Sequence, residues 1–296
     1  MNVGEKIRSL RVAKMMTQSE LAGTEITRNM ISCIENGTAQ PSLSTVVYLA
    51  GRLGVPVGFL LAEEGDEFLW RKMNAMPNVK RAFREEDWNS CRTLCLAVSR
   101  TPDDELCMIL ARSDVGIAIE AFESGKLHTA CRYFDEALDF AARTIYSQPQ
   151  IEAVAEVYFR YLRRISPTLF SENGAGDRRV EVTLQTPFAA YVDALDALDA
   201  NDPGPAGRFL QTYAQTPFYA SHIRVKLHLA NREYEEAKAL LQGLLNAPAP
   251  LLNEVQLWAV LSDLEIACRE TDDYKGAYQY ANERVQLHEQ LLKDGI

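Results

Sequence analysis

Apolar residues in the first sixty positions recur three and four apart, the period of a helix with one buried face. Ile7 and Leu10 form one such group, Leu21 and Ala22 a second, and Met30, Ile31 and Ile34 a third. Leu43, Val46, Leu49, Ala50 and Leu53 form a fourth, and Phe59-Leu60-Leu61 closes the series. The polar punctuation agrees. Thr17 can N-cap one helix while Glu20, three residues on, reaches back to complete a capping box. Thr27 and Ser42 are N-cap residues for two more, and Pro56 marks the turn before the last. The pattern predicts five short helices in a compact domain over residues 1–64.

Beyond that domain the texture changes. Glu63-Glu64-Gly65-Asp66-Glu67 is an acidic, solvated stretch, and residues 65–76 read as a linker or connecting helix. From 77 to 296 the chain is rich in Ala, Leu and Glu with few β-branched runs, so the expected fold class is all-α. A weak internal repeat runs through it. Leu127 is followed by Ala130, Tyr234 by Ala237 and Tyr274 by Ala277, each after a turn-forming dipeptide. Trp88 with Cys91, and Asp202 through Gly207, are degenerate copies. Tyr234 to Tyr274 is 40 positions and Trp88 to Leu127 is 39, near the length of a helix pair with its turns. About five units are expected. In each, the small Ala lets the second helix approach the first and the large residue wedges between them. Tyr133, Phe134, Phe209, Tyr213 and Tyr278 are read as similar core wedges. Ser171 through Asp177 reads as a long connection between repeats; its Gly-x-Gly follows no strand and is not a nucleotide loop.

In the third helix, Arg28, Asn29, Ser32 and Cys33 point away from the apolar side. Arg28 and Asn29 lie at its N-terminal end, where a recognition helix meets base edges in the major groove. Arg pairs bidentately with guanine and Asn with adenine. The segment from Thr17 to Gly37 resembles the Cro/C1-type helix-turn-helix. The match extends to Ile7, Leu10 and Arg11 upstream, and to Pro41-Ser42-Leu43 and Leu53-Gly54-Val55 downstream. The turn Gly23-Thr24-Glu25-Ile26 is about one residue shorter than is common there. The resemblance implies a DNA-binding domain in which Thr27, Arg28, Asn29, Ser32 and Cys33 face the bases. Gln18, Thr38, Gln40 and the backbone amides of Asn36 and Gly37 would hold phosphates. It also implies a buried Arg11–Glu35 ion pair joining the first helix to the third.

The repeats resemble divergent tetratricopeptide units, and the domain order resembles the RNPP class of regulators, including Rgg-like proteins. That resemblance implies a homodimer on an inverted-repeat operator and a concave groove binding a short signalling peptide. Projecting the repeat phase places Arg112 and Ile119, then Tyr219, His222 and Lys226, then Ser262 and Arg269 on that groove. Cations there could clamp a peptide carboxylate. The alternative is a repeat domain that binds a protein partner or only dimerises.

Charge sharpens this division. The net charge is −10, yet residues 1–62 carry six Lys/Arg against four acids, a balance of +2, leaving −12 for the rest. Nucleic-acid binding is therefore expected of the N-terminal module alone, weak for one copy and salt-sensitive. No run of eighteen apolar residues exists and the N-terminus lacks an apolar signal core, so a cytoplasmic location without membrane contact is expected. The six cysteines contain no Cys-x-x-Cys pair and the four histidines are scattered, so neither a metal nor a cofactor is expected. Cys33 reads as a small residue tolerated beside DNA. No hydrolase elbow or Walker loop is present, and an enzyme is not expected.

Overall fold

The computed structural model describes residues 2–62, 67–146, 149–170, 184–246 and 252–295, and among these there is no strand. The acidic 63–66 and the proposed connection at 171–177 lie outside the described residues. The chain divides into two compact units, Met1–Arg81 with Leu96–Arg100, and Ala82–Cys95 with Thr101–Ile296.

The first unit contains α1 (Val3–Ala13), α2 (Gln18–Ala22), α3 (Arg28–Glu35), α4 (Leu43–Leu53), α5 (Val57–Leu61) and most of α6 (Glu67–Arg84). Thr17 accepts from the Glu20 amide while the Glu20 carboxylate accepts from the Thr17 amide, so both ends of the capping box are closed. Thr27 caps α3 and Ser42 caps α4 through the side-chain oxygen alone, accepting from the Met30 and Thr45 amides. Ile7, Leu21, Ile31, Ile34, Leu49, Leu53 and Leu60 meet in one core with almost no exposed surface. Gly4 lets α1 lie against the end of α3, because a Cβ there would stand 2.0 Å from the Ile34 carbonyl oxygen. Buried Lys6 donates to the Ala62 carbonyl, satisfying the C-terminal end of α5. Two residues assigned to the core by periodicity are not in it. Met30 and Leu43 stand in the first turns of α3 and α4, where they face outward and are 45% and 66% exposed.

The second unit is built from helix pairs. α8 (Asp104–Glu123) packs along α9 (Leu127–Ala142), α11 (Pro187–Asp199) along α12 (Gly204–Thr212), α13 (Pro217–Ala230) along α14 (Tyr234–Leu245), and α15 (Glu254–Glu270) along α16 (Tyr274–Leu291). α7 (Trp88–Val98) precedes them, and α10 (Pro149–Ile165) lies beside α8, α9 and α11. First helices form one layer and second helices the other. The first-helix layer curls until α15 touches α8, and Asp294 after α16 accepts from the His128 and Thr129 amides at the start of α9.

One backbone device repeats at every pair. Glu86, Gly125, Asn201, Arg232 and Asp272 all adopt positive φ, between 56° and 74°. The next amide in each case donates to the carbonyl five residues back: Asp87 to Ala82, Lys126 to Ala121, Asp202 to Ala197, Glu233 to His228 and Asp273 to Cys268. This is the Schellman ending, and it turns the chain back on itself within two residues. Ala130, Ala206, Ala237 and Cys91 behind these turns are fully buried, as close helix approach requires, and Leu127, Phe134 and Phe209 fill the core. Tyr274 and Tyr278 do not act as wedges. They are 66% and 78% exposed, because no described element covers the outer face of α16.

Asp114, on α8, has no exposed surface, and its Oδ1 accepts from Arg92 Nε at 2.8 Å. Arg92 is shared with Glu136. Burial outweighs Arg92 and pushes the Asp114 carboxyl up from 3.8 to about 6. A carboxyl whose folded value is raised favours folding below its unfolded value, and that contribution is lost as pH climbs through the folded one. Asp114→Asn should therefore gain stability relative to the parent as pH rises from about 4 to about 7. Thermal melts across that range test it, and a pH-independent difference between the two proteins would refute it.

Candidate nucleic-acid interface and ligand cavity

The first candidate site is the outer face of α3. Ile31, Ile34 and Glu35 turn inward, which leaves Thr27, Arg28, Asn29 and Met30 exposed in the first turn and Ser32 and Cys33 half-exposed behind them. The far end of the helix is anchored by charge. Arg11 Nε and Nη2 donate to the two Glu35 carboxylate oxygens at 2.6 and 2.9 Å, and Gln18 Nε2 donates to Glu35 Oε2 at 2.9 Å. The Glu35 side chain is 2% exposed. Burial would raise its carboxyl, but the hydrogen bonds from Arg11 and Gln18, with the Arg11 charge, hold it below the usual range. Arg11 also donates to the Met16 carbonyl, so one guanidinium ties α1, the turn before α2 and α3 together.

Two expectations for phosphate contacts change. The Asn36 and Gly37 amides already donate to the Ser32 and Ile34 carbonyls, at 3.1 Å each, because they close the end of α3. They are not free to hold a phosphate. The Gln18 amide group is likewise engaged with Glu35. Thr38 Oγ1 donates to the Cys33 carbonyl at 3.0 Å, while the side chains of Asn36 and Gln40 are exposed. Met30 is the exposed α3 residue that the sequence reading missed. Its place in a run with Ile31 and Ile34 disguised it, although it stands one residue off the buried stripe.

The second candidate site lies in the first-helix layer of the second unit. A cavity of about 340 Å³ is lined by Tyr161 and Arg164 from α10, Tyr191, Leu195 and Asp199 from α11, His222 and Lys226 from α13, and Trp258, Ala259, Ser262 and Asp263 from α15. His222 is 3% exposed; it stacks on Phe218 and its Nδ1 is 2.7 Å from the Tyr191 hydroxyl. Its Nε2 lies 3.0 Å from Asp263 Oδ2, and Lys226 Nζ donates to Asp263 Oδ1 at 3.0 Å. Asp263 is 3% exposed. Burial pushes its carboxyl up, but the Lys226 charge and the His222 ring outweigh that and hold it at about 2. Arg164 is paired with Asp196 and Asp199.

Of the projected groove residues, only His222, Lys226 and Ser262 meet in this cavity. Arg112 and Ile119 line a separate apolar cavity of about 540 Å³ with Trp88, Val115, Ile151 and Val154. Tyr219 lines a narrow crevice with Phe122, Tyr158 and Phe188. Arg269 is exposed at the end of α15 beside Glu270 and lines none of these. Asp263, Trp258 and Arg164 were missed. An Asp five residues after a Trp inside a helix reads as a solvated position until the neighbouring helices are in place.

The Arg11–Glu35–Gln18 arrangement carries a direct test. Glu35→Ala should leave Arg11 and Gln18 without their acceptor and destabilise the first unit by about 3 kcal/mol. Urea unfolding of the variant checks this, and a loss below about 1 kcal/mol would show the pair to be incidental.

Comparison with known proteins addresses the first unit. A helix-turn-helix family model matches residues 7–60. The immunity repressor protein of Bacillus phage phi105 is 37% identical over 65 residues, which are 22% of this chain and 45% of the repressor. The chain thus spans less than half the length of that curated relative. Among solved structures, Bacillus thuringiensis PlcR in complex with the peptide PapR7 and DNA aligns over 99% of both chains at 13% identity with a TM-score of 0.24. ComR from S. thermophilus in complex with DNA and its signalling peptide ComS aligns over 100% of both at 13% identity and 0.22. TM-scores of this size carry no argument about the arrangement of the whole chain. The family match and the closed Thr17–Glu20 and Thr27 caps concern the N-terminal helices alone, and there they agree: residues 7–60 form a helix-turn-helix domain of the Cro/C1 type.

Proposed function

We propose that this chain is a cytoplasmic, sequence-specific DNA-binding transcription regulator that acts as a homodimer. The observation that carries the reading is the outer face of α3, which presents Arg28 and Asn29 in an exposed first turn on a helix fixed at its far end by Glu35. A recognition helix meets base edges with these N-terminal residues. Thr27, Ser32 and Cys33 complete the base-facing surface, and Asn36, Thr38 and Gln40 flank it towards phosphates. The phage relative is itself a repressor, and the balance of +2 in residues 1–62 confines DNA contact to this domain. So small a charge holds one copy weakly. Two copies on an inverted repeat supply the rest. Arg28→Ala should weaken operator binding by about 1–3 kcal/mol and relax preference at one base pair. Fluorescence anisotropy with a set of single-substitution operators measures both, and unchanged affinity and preference would remove α3 as the reading helix.

In this reading the helix-pair domain senses a short peptide. The support is the cavity between α10, α11, α13 and α15, whose buried polar walls differ from the aromatic core around it. A regulator of this kind requires the peptide to bind one conformation of the dimer better than another, and DNA then alters peptide affinity by the same factor. Ser262→Leu narrows the cavity without touching the first unit. It should weaken the peptide by tenfold or more, about 1.4 kcal/mol, and spare DNA binding by the free protein. Isothermal titration with candidate secreted peptides, with and without operator, tests it.

A second reading, in which this domain binds a protein or only dimerises, is favoured by a different surface. Tyr274, Tyr278 and Val285 make an exposed apolar stripe along α16. Sedimentation of Tyr278→Glu separates the two: loss of the dimer assigns α16 to self-association, and loss of a co-purifying protein from an intact dimer assigns it to a partner.

A further inference from the structure

We propose that the exposed ridge of α6 holds DNA phosphates beside the half-site read by α3; this rests on the DNA-binding reading above. From Phe68 to Arg84 the helix carries five cations, Arg71, Lys72, Lys80, Arg81 and Arg84, and no carboxylate. That balance exceeds the +2 of residues 1–62, in a chain whose residues 85–296 carry −13. DNA contact is thus confined to the first unit with α6 included, rather than to residues 1–62. Lys80 and Arg84 stand four apart, a like-charge pair that weakens a helix unless an anion lies across it.

Trp70 fastens the helix to the domain that it extends. Its ring lies against Gly58 on α5, so close that a Cβ there would stand 2.3 Å from Trp70 Cζ2. Val79 is buried, and the outer side of the helix is wet. Arg71, Asn74, Asn78 and Arg81 follow one another at spacings of three, four and three, which keeps them on one ridge, and all four are exposed. Lys80 is exposed next to Arg81. Among the described residues Arg71, Lys80 and Arg81 pair with no carboxylate; Arg81 Nη2 donates to the neutral Asn78 Oδ1 at 3.5 Å. The ridge is about 15 Å long, the axial rise of about four base pairs. Guanidinium and amide donors with no carboxylate among them suit phosphate oxygens. They do not suit a lipid surface. Trp70 is already seated, and Leu69 and Met73 are the exposed large apolar residues of α6, whereas an interfacial helix buries an apolar face along its whole length.

Non-specific binding is carried by phosphates, so the test needs no known operator. The full-length protein is titrated by fluorescence anisotropy against a mixed-sequence duplex of about thirty base pairs, long enough to span the ridge and the flanking DNA, over a series of potassium chloride concentrations. Each phosphate contact adds about 0.9 to the steepness of log affinity against log salt. Arg71→Gln with Arg81→Gln should reduce that steepness by about 1.8 and weaken binding tenfold or more at about 0.1 M salt. Arg71→Lys with Arg81→Lys keeps both charges and should retain the parent slope. Should the glutamine pair fail to fold, Lys80→Gln alone must reduce the steepness by about 0.9. A slope that the glutamines leave unchanged, or that the lysines reduce equally, overturns the proposal. Parent binding to phosphatidylglycerol vesicles that the glutamines abolish, with the DNA slope intact, overturns it in favour of a lipid surface. A parent protein that binds no duplex at any salt removes the DNA-binding reading together with this one. A parent that binds, with Arg28→Ala relaxing base preference and the glutamines changing nothing, removes α6 alone.

Discussion

A chain made of helices is organised by where its helices stop. Among the described residues eight of them stop in the same manner, with a left-handed residue and a hydrogen bond from the following amide to the carbonyl five back. Met15, Gly37 and Gly54 do this after α1, α3 and α4; Glu86, Gly125, Asn201, Arg232 and Asp272 do it in the second unit. Each such ending satisfies carbonyls that would otherwise be orphaned and reverses the chain in the smallest space available. Only three of the eight residues are glycine. The other five accept an unfavourable backbone conformation, worth roughly 1–2 kcal/mol apiece. Tertiary packing offsets that cost, which is why the second unit folds as stacked pairs and why its first helices share a layer with a cavity in it.

The first unit uses a different constraint for the surface proposed to meet DNA. The outer face of α3 presents long, mobile side chains such as Arg28, so the helix beneath must be rigid for their positions to matter. The Arg11–Glu35–Gln18 network supplies that rigidity from the far end, and the Thr27 cap supplies it at the near end. Polar groups there fix orientation rather than add much net stability, since their desolvation offsets most of the attraction.

Much of this was legible in the sequence, and what was not has identifiable causes. Short-range signals carried well: the caps at Thr17, Thr27 and Ser42 depend on residues three apart, and the small-residue spacing at Ala130 and Ala237 records close helix approach within one pair. The lost information was of two kinds. Periodicity assigned Met30 and Leu43 inward, because an apolar residue in the first turn of a helix has the right type and the wrong phase. Repeat projection placed seven groove residues on one surface, whereas the curl of the first-helix layer separates Arg112 and Ile119 from His222 and Lys226 and leaves Arg269 outside. The rotation between successive pairs accumulates from every contact along the layer, so no local pattern contains it.

Two buried carboxylates on that layer show how much the surroundings decide. Asp114 and Asp263 both sit on first helices, both lack meaningful exposure, and each has one oxygen without a directed hydrogen bond. Asp114 meets one guanidinium that Glu136 shares, and burial prevails; its carboxyl rises to about 6. Asp263 meets a lysine of its own and a histidine, and is held at about 2. The first is a charge kept in place at a cost to stability near neutral pH, packed against protein on every described side. The second is fully ionised at any physiological pH and borders an open cavity with a tryptophan N–H beside it. A buried carboxylate stays ionised where cations of its own compensate it, and is driven towards its neutral form where burial outweighs a cation that it must share.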